Sequence, residues 1–230
     1  MRLKNLSVFF PAYNEEANIV HTIEKAFRII PSFAEQFEVI AVDDGSSDKT
    51  AQHLSGLSKK YPNLKVITHQ RNRGYGAALK SGFLNAKYEY FFFTDSDGQF
   101  RIEEIENFIP LINDCDIVAG FRIKRNDPLY RIVNAKAYNL LIRMLFGLKI
   151  KDIDCAFKLI RKKVIDSIEL KSEGAFVSVE FLIKSKNRGF LIRQLKVNHY
   201  PRKKGKPTGN NPSVIFRSFA ELFKLWKELK

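Results

Sequence analysis

Cysteine is scarce in this 230-residue chain, and the two present, Cys115 and Cys155, lie in apolar contexts without metal-ligand spacing. That excludes a disulfide scaffold and a cysteine-based zinc site, and reads as reduced core thiols of a cytoplasmic protein. The four histidines, at 21, 53, 69 and 199, are too far apart for a ligand cluster and read as non-catalytic. No apolar run reaches the ~18 to 20 residues a membrane span needs, and Met1-Arg-Leu-Lys4 leads into a strand pattern rather than a signal peptide. Internal repeats and low-complexity linkers are missing too. The expectation is a protein that is soluble or lies on a membrane surface. Acid is in deficit: Lys+Arg 39 against Asp+Glu 25 gives +14, and the pI is about 9.7. Such a surface suits an anionic partner, whether nucleic acid, phospholipid or a phosphorylated substrate.

What the chain does have is apolar strands that stop at acids. Tyr90-Phe-Phe-Phe-Thr94 has the pattern of a strand buried on both faces, and Asp95-Ser-Asp-Gly-Gln99 follows at once. Asp95, Asp97 and Gln99 are oxygen ligands of the kind Mg²⁺ or Mn²⁺ takes beside water and substrate phosphates. Asp-x-Asp alone is equally what a helix-capping turn looks like.

Taken in order, strands are predicted at Leu6–Phe10, Phe37–Val42, Leu64–Thr68, Tyr90–Thr94, Asp116–Phe121 and Phe190–His199, with a short strand after Lys151–Lys158. Helices are predicted at Glu16–Ile30 with Asn14 as cap, Thr50–Lys60 with Asp48 as cap, Ala77–Asn85, Ile102–Ile112, Leu129–Phe146, Phe176–Arg188 and Ser213–Leu229. Strand and helix alternate, which argues an α/β fold with a mostly parallel central sheet and helices on both faces. The distinctive residues all follow strands, so they share one sheet edge, where open α/β sheets bind ligands. Gly74 and Gly76 read as tight-turn and helix-packing residues, because position 79 is Leu and the phosphate-binding Gly-x-Gly-x-x-Gly is incomplete. Glu180, in an apolar helix, should be paired.

Pro11-Ala-Tyr-Asn-Glu15, Asp43-Asp-Gly-Ser-Ser-Asp48, Asn72-x-Gly-x-Gly76 with Gly82, Asp95-x-Asp-Gly-Gln99 and Gly120-Phe-Arg122 resemble, in order, the inverting family 2 glycosyltransferases of GT-A fold. The nearest branch is similar to the dolichyl-phosphate mannose synthase and polyprenyl-phosphate glucosyltransferase group. The resemblance implies that residues 1–212 form the catalytic domain and that 213–230 form an amphipathic helix at a membrane surface. It implies that Pro11, Ala12, Tyr13, Glu15, Val42 and Asp44 hold the nucleoside of a UDP- or GDP-sugar. Asp95, Ser96, Asp97 and Gln99 would meet the diphosphate and its Mg²⁺ or Mn²⁺, with Asp95, Asp97 and Gln99 as metal ligands. Arg122 and Arg202 would contact phosphate, and Asp97, Arg122 and Arg202 would be catalytic. Arg131 would bind the phosphate of a polyprenyl acceptor.

An acceptor that is already an anion needs little base help; with a hydroxyl acceptor, as in extension of a lipid-linked glycan, Asp152 or Asp154 would have to supply it. The chain departs from the mannose synthase pattern at Asp154-Cys-Ala-Phe157 and at Arg202-Lys-Lys-Gly-Lys-Pro-Thr208. The implied partners are a nucleotide-sugar, a polyprenyl phosphate and an anionic membrane at its cytoplasmic face, with room for a separate membrane-anchoring subunit. Nucleic acid is disfavoured, because acids at several strand ends would repel its phosphates.

Overall fold

The computed structural model describes residues 1–123, 129–202, 204 and 221–228, with only the backbone of 129–136. Seven strands form one sheet: β1 (Leu3–Ala12), β2 (Ala34–Asp43), β3 (Leu64–Thr68), β4 (Tyr90–Thr94), β5 (Ile117–Arg122), β6 (Phe157–Arg161) and β7 (Ile192–Val197). Their spatial order is β3-β2-β1-β4-β6-β5-β7. β6 alone runs against its neighbours β4 and β5; the other pairings are parallel. Six strands therefore end at one edge, and the segment entering β6 begins at that same edge. The order reverses between β1 and β4, and such a switch point leaves a crevice at the strand ends.

Consecutive residues of β1, β2 and β4 are fully buried, Val8 to Phe10, Val39 to Val42 and Phe91 to Phe93 among them. Both sheet faces are thus covered, as the unbroken apolar runs require. The main helices are α1 (Ile19–Ile29), α2 (Thr50–Lys60), α3 (Tyr75–Asn85), α4 (Leu129–Phe146), the short α5 (Lys162–Asp166) and α6 (Val177–Asn187). α3 packs very close to the sheet: a Cβ on Gly82 would stand 2.6 Å from the Phe9 ring.

Several expectations are corrected. Ile102–Ile112 is not one helix but two 3₁₀ segments, Ile102–Asn107 and Leu111–Asp114, interrupted at Pro110. Asn14 does not cap α1, which starts at Ile19 after Asn18. Asn14 takes a left-handed backbone (φ 54°) instead. Asp48 does serve the start of α2, accepting the Thr50 N–H at 2.9 Å. β1 begins at Leu3 and β7 is confined to Ile192–Val197, shorter than the apolar pattern suggested.

Of the expected C-terminal helix, residues 221–228 are helical and the rest lies outside the described residues. Leu222 and Leu225 are buried in the core, whereas Phe223 is 48% exposed. At least one apolar stripe of this helix thus serves packing rather than lipid.

Glu180 is 1% exposed and, as expected, paired. It meets Lys184 at 2.5 Å and accepts the N–H groups of Lys171 and Ser172 at 2.9 and 2.8 Å. Burial alone would raise its carboxyl, but Lys184 and these N–H donors outweigh burial and hold it below the usual glutamate range. Its contribution to stability is therefore complete above the pKa of an unfolded glutamate, about 4.3, and is lost as pH falls through the lower folded value. Glu180→Gln should cost about 2 kcal/mol in urea unfolding at pH 7, and the gap from the parent should close as pH is lowered below about 4.

Candidate active site

Four loops meet at the crevice, and side chains lace them together. After β1, the Asn14 N–H donates to Ser46 Oγ at 2.9 Å, and Asn14 Oδ1 accepts the Ser47 N–H at 2.9 Å. The Glu15 N–H donates to Thr50 Oγ1 at 2.8 Å. After β4, the Ser96 hydroxyl donates to the Pro11 carbonyl at 2.7 Å, and Thr22 Oγ1 donates to the Ser96 carbonyl at 2.9 Å. After β2, the Asp44 carboxylate accepts the N–H groups of Arg73 and Gly74 at 3.0 and 2.7 Å. The Gly76 N–H donates to the Glu173 carbonyl at 2.8 Å. A Cβ at Gly76 would lie 2.6 Å from the Glu173 backbone, so this glycine permits close chain approach, as the sequence suggested, rather than binding phosphate.

These loops enclose a cavity of about 650 Å³, within the usual range for a small-molecule site. Pro11, Ala12, Tyr13, Glu15, Asp44, Asp95, Ser96, Asp97 and Arg202 all line it. Three expected residues do not. Val42 is fully buried in β2. Gln99 donates its amide to the Tyr200 carbonyl at 3.0 Å and its backbone N–H to Asp97 Oδ1 at 3.0 Å, tying the loop after β4 to the segment that carries Arg202. Arg122 is held bidentately by Asp152 at 2.6 and 2.7 Å. The side chain of Arg131 lies outside the described residues.

Negative charge dominates the centre. Burial, then the neighbouring Asp97 charge, push the Asp95 carboxyl up to about 7, against the pull of Arg122 and Lys158. Burial also raises Glu15. Arg202 supplies counter-charge by direct contact. Its guanidinium sits 2.5 Å from Glu15 Oε1 and 3.5 Å from Asp97 Oδ2, and its Nε donates to the Lys204 carbonyl at 2.8 Å.

Among the described residues no cluster of three His, Cys, Asp or Glu forms a ready metal cage. Two crowded carboxylates short of positive charge nevertheless fit a Mg²⁺ or Mn²⁺ that draws its remaining ligands from water and phosphate. Beside this carboxylate pair stands one guanidinium, a set suited to holding a diphosphate and stabilising charge as it develops there.

Two residues escaped the sequence reading. His69 is buried against Asp44, Nδ1 to Oδ1 at 2.6 Å, with Nε2 2.8 Å from Ser81 Oγ. Its signal was its place, directly after β3 at the same edge as Asp44. Lys158 is fully buried in β6 and donates to the carbonyls of Ile153, at 3.2 Å, and Cys155. It thereby clamps the loop that carries Asp152 and Asp154. Burial lowers its pKa. Nothing in an alternating strand pattern singles out such a lysine.

Residues 7–169 match the Glycosyl transferase family 2 domain. The dolichyl-phosphate beta-glucosyltransferase of Saccharomyces cerevisiae is 28% identical over 222 residues, covering 84% of this chain and 66% of that protein. The dolichol-phosphate mannosyltransferase of Pyrococcus furiosus is 33% identical over 190 residues, 79% of this chain and 53% of its own length. The undecaprenyl-phosphate 4-deoxy-4-formamido-L-arabinose transferase of Pectobacterium carotovorum is 31% identical over 169 residues, 72% of this chain and 51% of that one. The chain thus spans between about half and two thirds of these relatives. In shape it is similar to glucosyl-3-phosphoglycerate synthase from Mycobacterium tuberculosis, solved with Mn²⁺, uridine diphosphate and glucosyl-3-phosphoglycerate. The TM-score is 0.72 at 20% identity, over 96% of this chain and 79% of that one. Strand-end motifs, sheet order and sequence similarity agree: this chain belongs to glycosyl transferase family 2.

Proposed function

We propose that this chain is the catalytic part of a metal-dependent, inverting glycosyltransferase that moves a sugar from a nucleotide-sugar to a polyprenyl phosphate. The observation that carries this is the cavity at the sheet switch point, where Glu15, Asp95, Asp97 and Arg202 converge. Relatives named for dolichyl-phosphate and undecaprenyl-phosphate transfer support the acceptor class. Asp95 and Asp97 would hold Mg²⁺ or Mn²⁺ together with the donor diphosphate. When bound, the cation neutralises charge on the departing nucleoside diphosphate.

The chain's own groups do the rest. Pro11 and Tyr13 offer an apolar wall to the base, and Arg202, released from Glu15 and Asp97 once they have other partners, turns to the diphosphate. Inversion follows from attack by the acceptor oxygen on the anomeric carbon opposite the leaving phosphate. A lipid phosphate supplies that oxygen already ionised, so the pocket has only to position it and screen charge. Asp152 fixes Arg122, whose positive charge then faces the acids from beside β5.

A membrane surface would supply such an acceptor. No helix among the described residues is long and apolar enough to cross a membrane. On α4, Leu140 and Met144 are 56% and 67% exposed on either side of exposed Arg143, which supports contact with anionic lipid.

The direct test incubates the purified protein with labelled UDP- and GDP-sugars, Mn²⁺ and a polyprenyl phosphate in detergent. Label is expected in the lipid-extractable product; donor hydrolysis or transfer to soluble glycans alone would overturn the acceptor assignment. In that assay Asp97→Asn should lose about 100-fold or more in transfer, with a urea midpoint near that of the parent because an edge carboxylate does not hold the core. Arg202→Ala should lower kcat by about 100-fold and raise the donor KM far less, since its charge matters most as the diphosphate departs. Sedimentation with anionic vesicles should be strong at low salt, largely reversed at ~1 M salt, and weakened by L140E/M144E without loss of donor hydrolysis.

A further inference from the structure

The nucleoside end of the cavity carries an acceptor that is almost used up. Asp44 is 3% exposed and lines the cavity. Its Oδ1 takes two hydrogen bonds, from His69 Nδ1 at 2.6 Å and from the Arg73 N–H at 3.0 Å. Its Oδ2 takes one, from the Gly74 N–H at 2.7 Å. A carboxylate has about four lone-pair positions, so one remains, on Oδ2. Because a carboxylate only accepts, His69 Nδ1 carries the hydrogen, and the other ring nitrogen, Nε2, lies 2.8 Å from the Ser81 hydroxyl oxygen.

Nucleobases differ in what they ask of such a group. Guanine presents N1–H and N2–H side by side and pairs with both oxygens of one carboxylate. Uracil and thymine present a single N–H between two carbonyl oxygens, and need one lone pair. Asp44 can meet the second demand as it stands. It can meet the first only by giving up His69 or the Arg73 N–H, either of which would leave a buried donor unpaired. Arg73 also lines the cavity, with its guanidinium paired to Glu173 at 3.2 Å.

We propose that the pocket selects the pyrimidine-2,4-dione edge of uracil or thymine over guanine, and that His69 is a positioning residue that enforces this by closing Oδ1 of Asp44. The inference rests on the reading of this cavity as a nucleotide-sugar site. It also makes Ser81, on α3, part of base selection at one remove, since its hydroxyl fixes the orientation of the imidazole.

The test is calorimetric binding of UDP, dTDP and GDP, each with Mn²⁺, to the parent, His69→Leu, His69→Asn and Ser81→Ala. The parent should bind UDP or dTDP at least about tenfold more tightly than GDP, and the stronger of the two pyrimidines tells which sugar nucleotide is taken. His69→Leu should shrink that ratio severalfold by reopening Oδ1. His69→Asn, which keeps a nitrogen donor near the Nδ1 position, should retain most of it, and Ser81→Ala should fall between. GDP binding equal to or tighter than both pyrimidines would overturn base selection while leaving the transferase reading in place. An unchanged ratio in His69→Leu would overturn the role of His69; should that variant not fold, an unchanged ratio in Ser81→Ala decides the same point. Failure of every nucleotide to bind the folded parent would overturn the transferase reading itself, and this inference with it.

Discussion

Carboxylates gathered at one buried sheet edge are the constraint to which the rest of the molecule answers. Glu15 and Asp97 share the Arg202 guanidinium, and Asp95, beside them, is pushed up to about 7 by burial and by Asp97. Like charges in a sparsely solvated crevice demand a cation. In the chain alone Arg202 supplies one. With donor present, a divalent ion and the diphosphate would exchange for it, which couples loading of the site to movement of the Arg202 segment.

Holding these acids in place takes much of the surrounding polar structure. Ser96 and Thr22 tie the β4 loop to β1 and α1; Asn14 and Thr50 tie the β1 loop to the β2 loop. The reversed direction of β6 brings the 152–156 segment to the crevice from the opposite sense, and Lys158 pins it from beneath. The two arginines are therefore held differently. Arg122 is fixed by a bidentate carboxylate and acts as a standing charge. Arg202 bonds Glu15 and Asp97 directly.

The sequence made the strand-end rule visible. Apolar runs that stop at Pro11, Asp43, Asp95 and Gly120 placed their following residues on one edge, and the structure puts Pro11 to Glu15, Asp44 and Asp95 to Asp97 around one cavity. What could not be read were contacts that depend on three-dimensional neighbours. Pro110 divides an amphipathic stretch that otherwise looked like a helix. Gln99 turns its amide to Tyr200, about a hundred residues away in the chain, and Arg122 turns to Asp152. Leu222 and Leu225 have the spacing of a lipid-facing stripe, yet they complete the core, because periodicity gives a helix its face and not the surface it meets. His69 looked inert for the same reason: its partners, Asp44 and Ser81, come from two other elements.

A site governed by uncompensated carboxylates should bind metal cooperatively with nucleotide. Electron paramagnetic resonance of free Mn²⁺, titrated into the protein with and without UDP, measures this most directly. The protein alone should deplete the free signal weakly, and protein with UDP should deplete it well beyond the sum of the two taken separately. Depletion no greater than that sum would contradict a shared metal–diphosphate site built on Asp95 and Asp97.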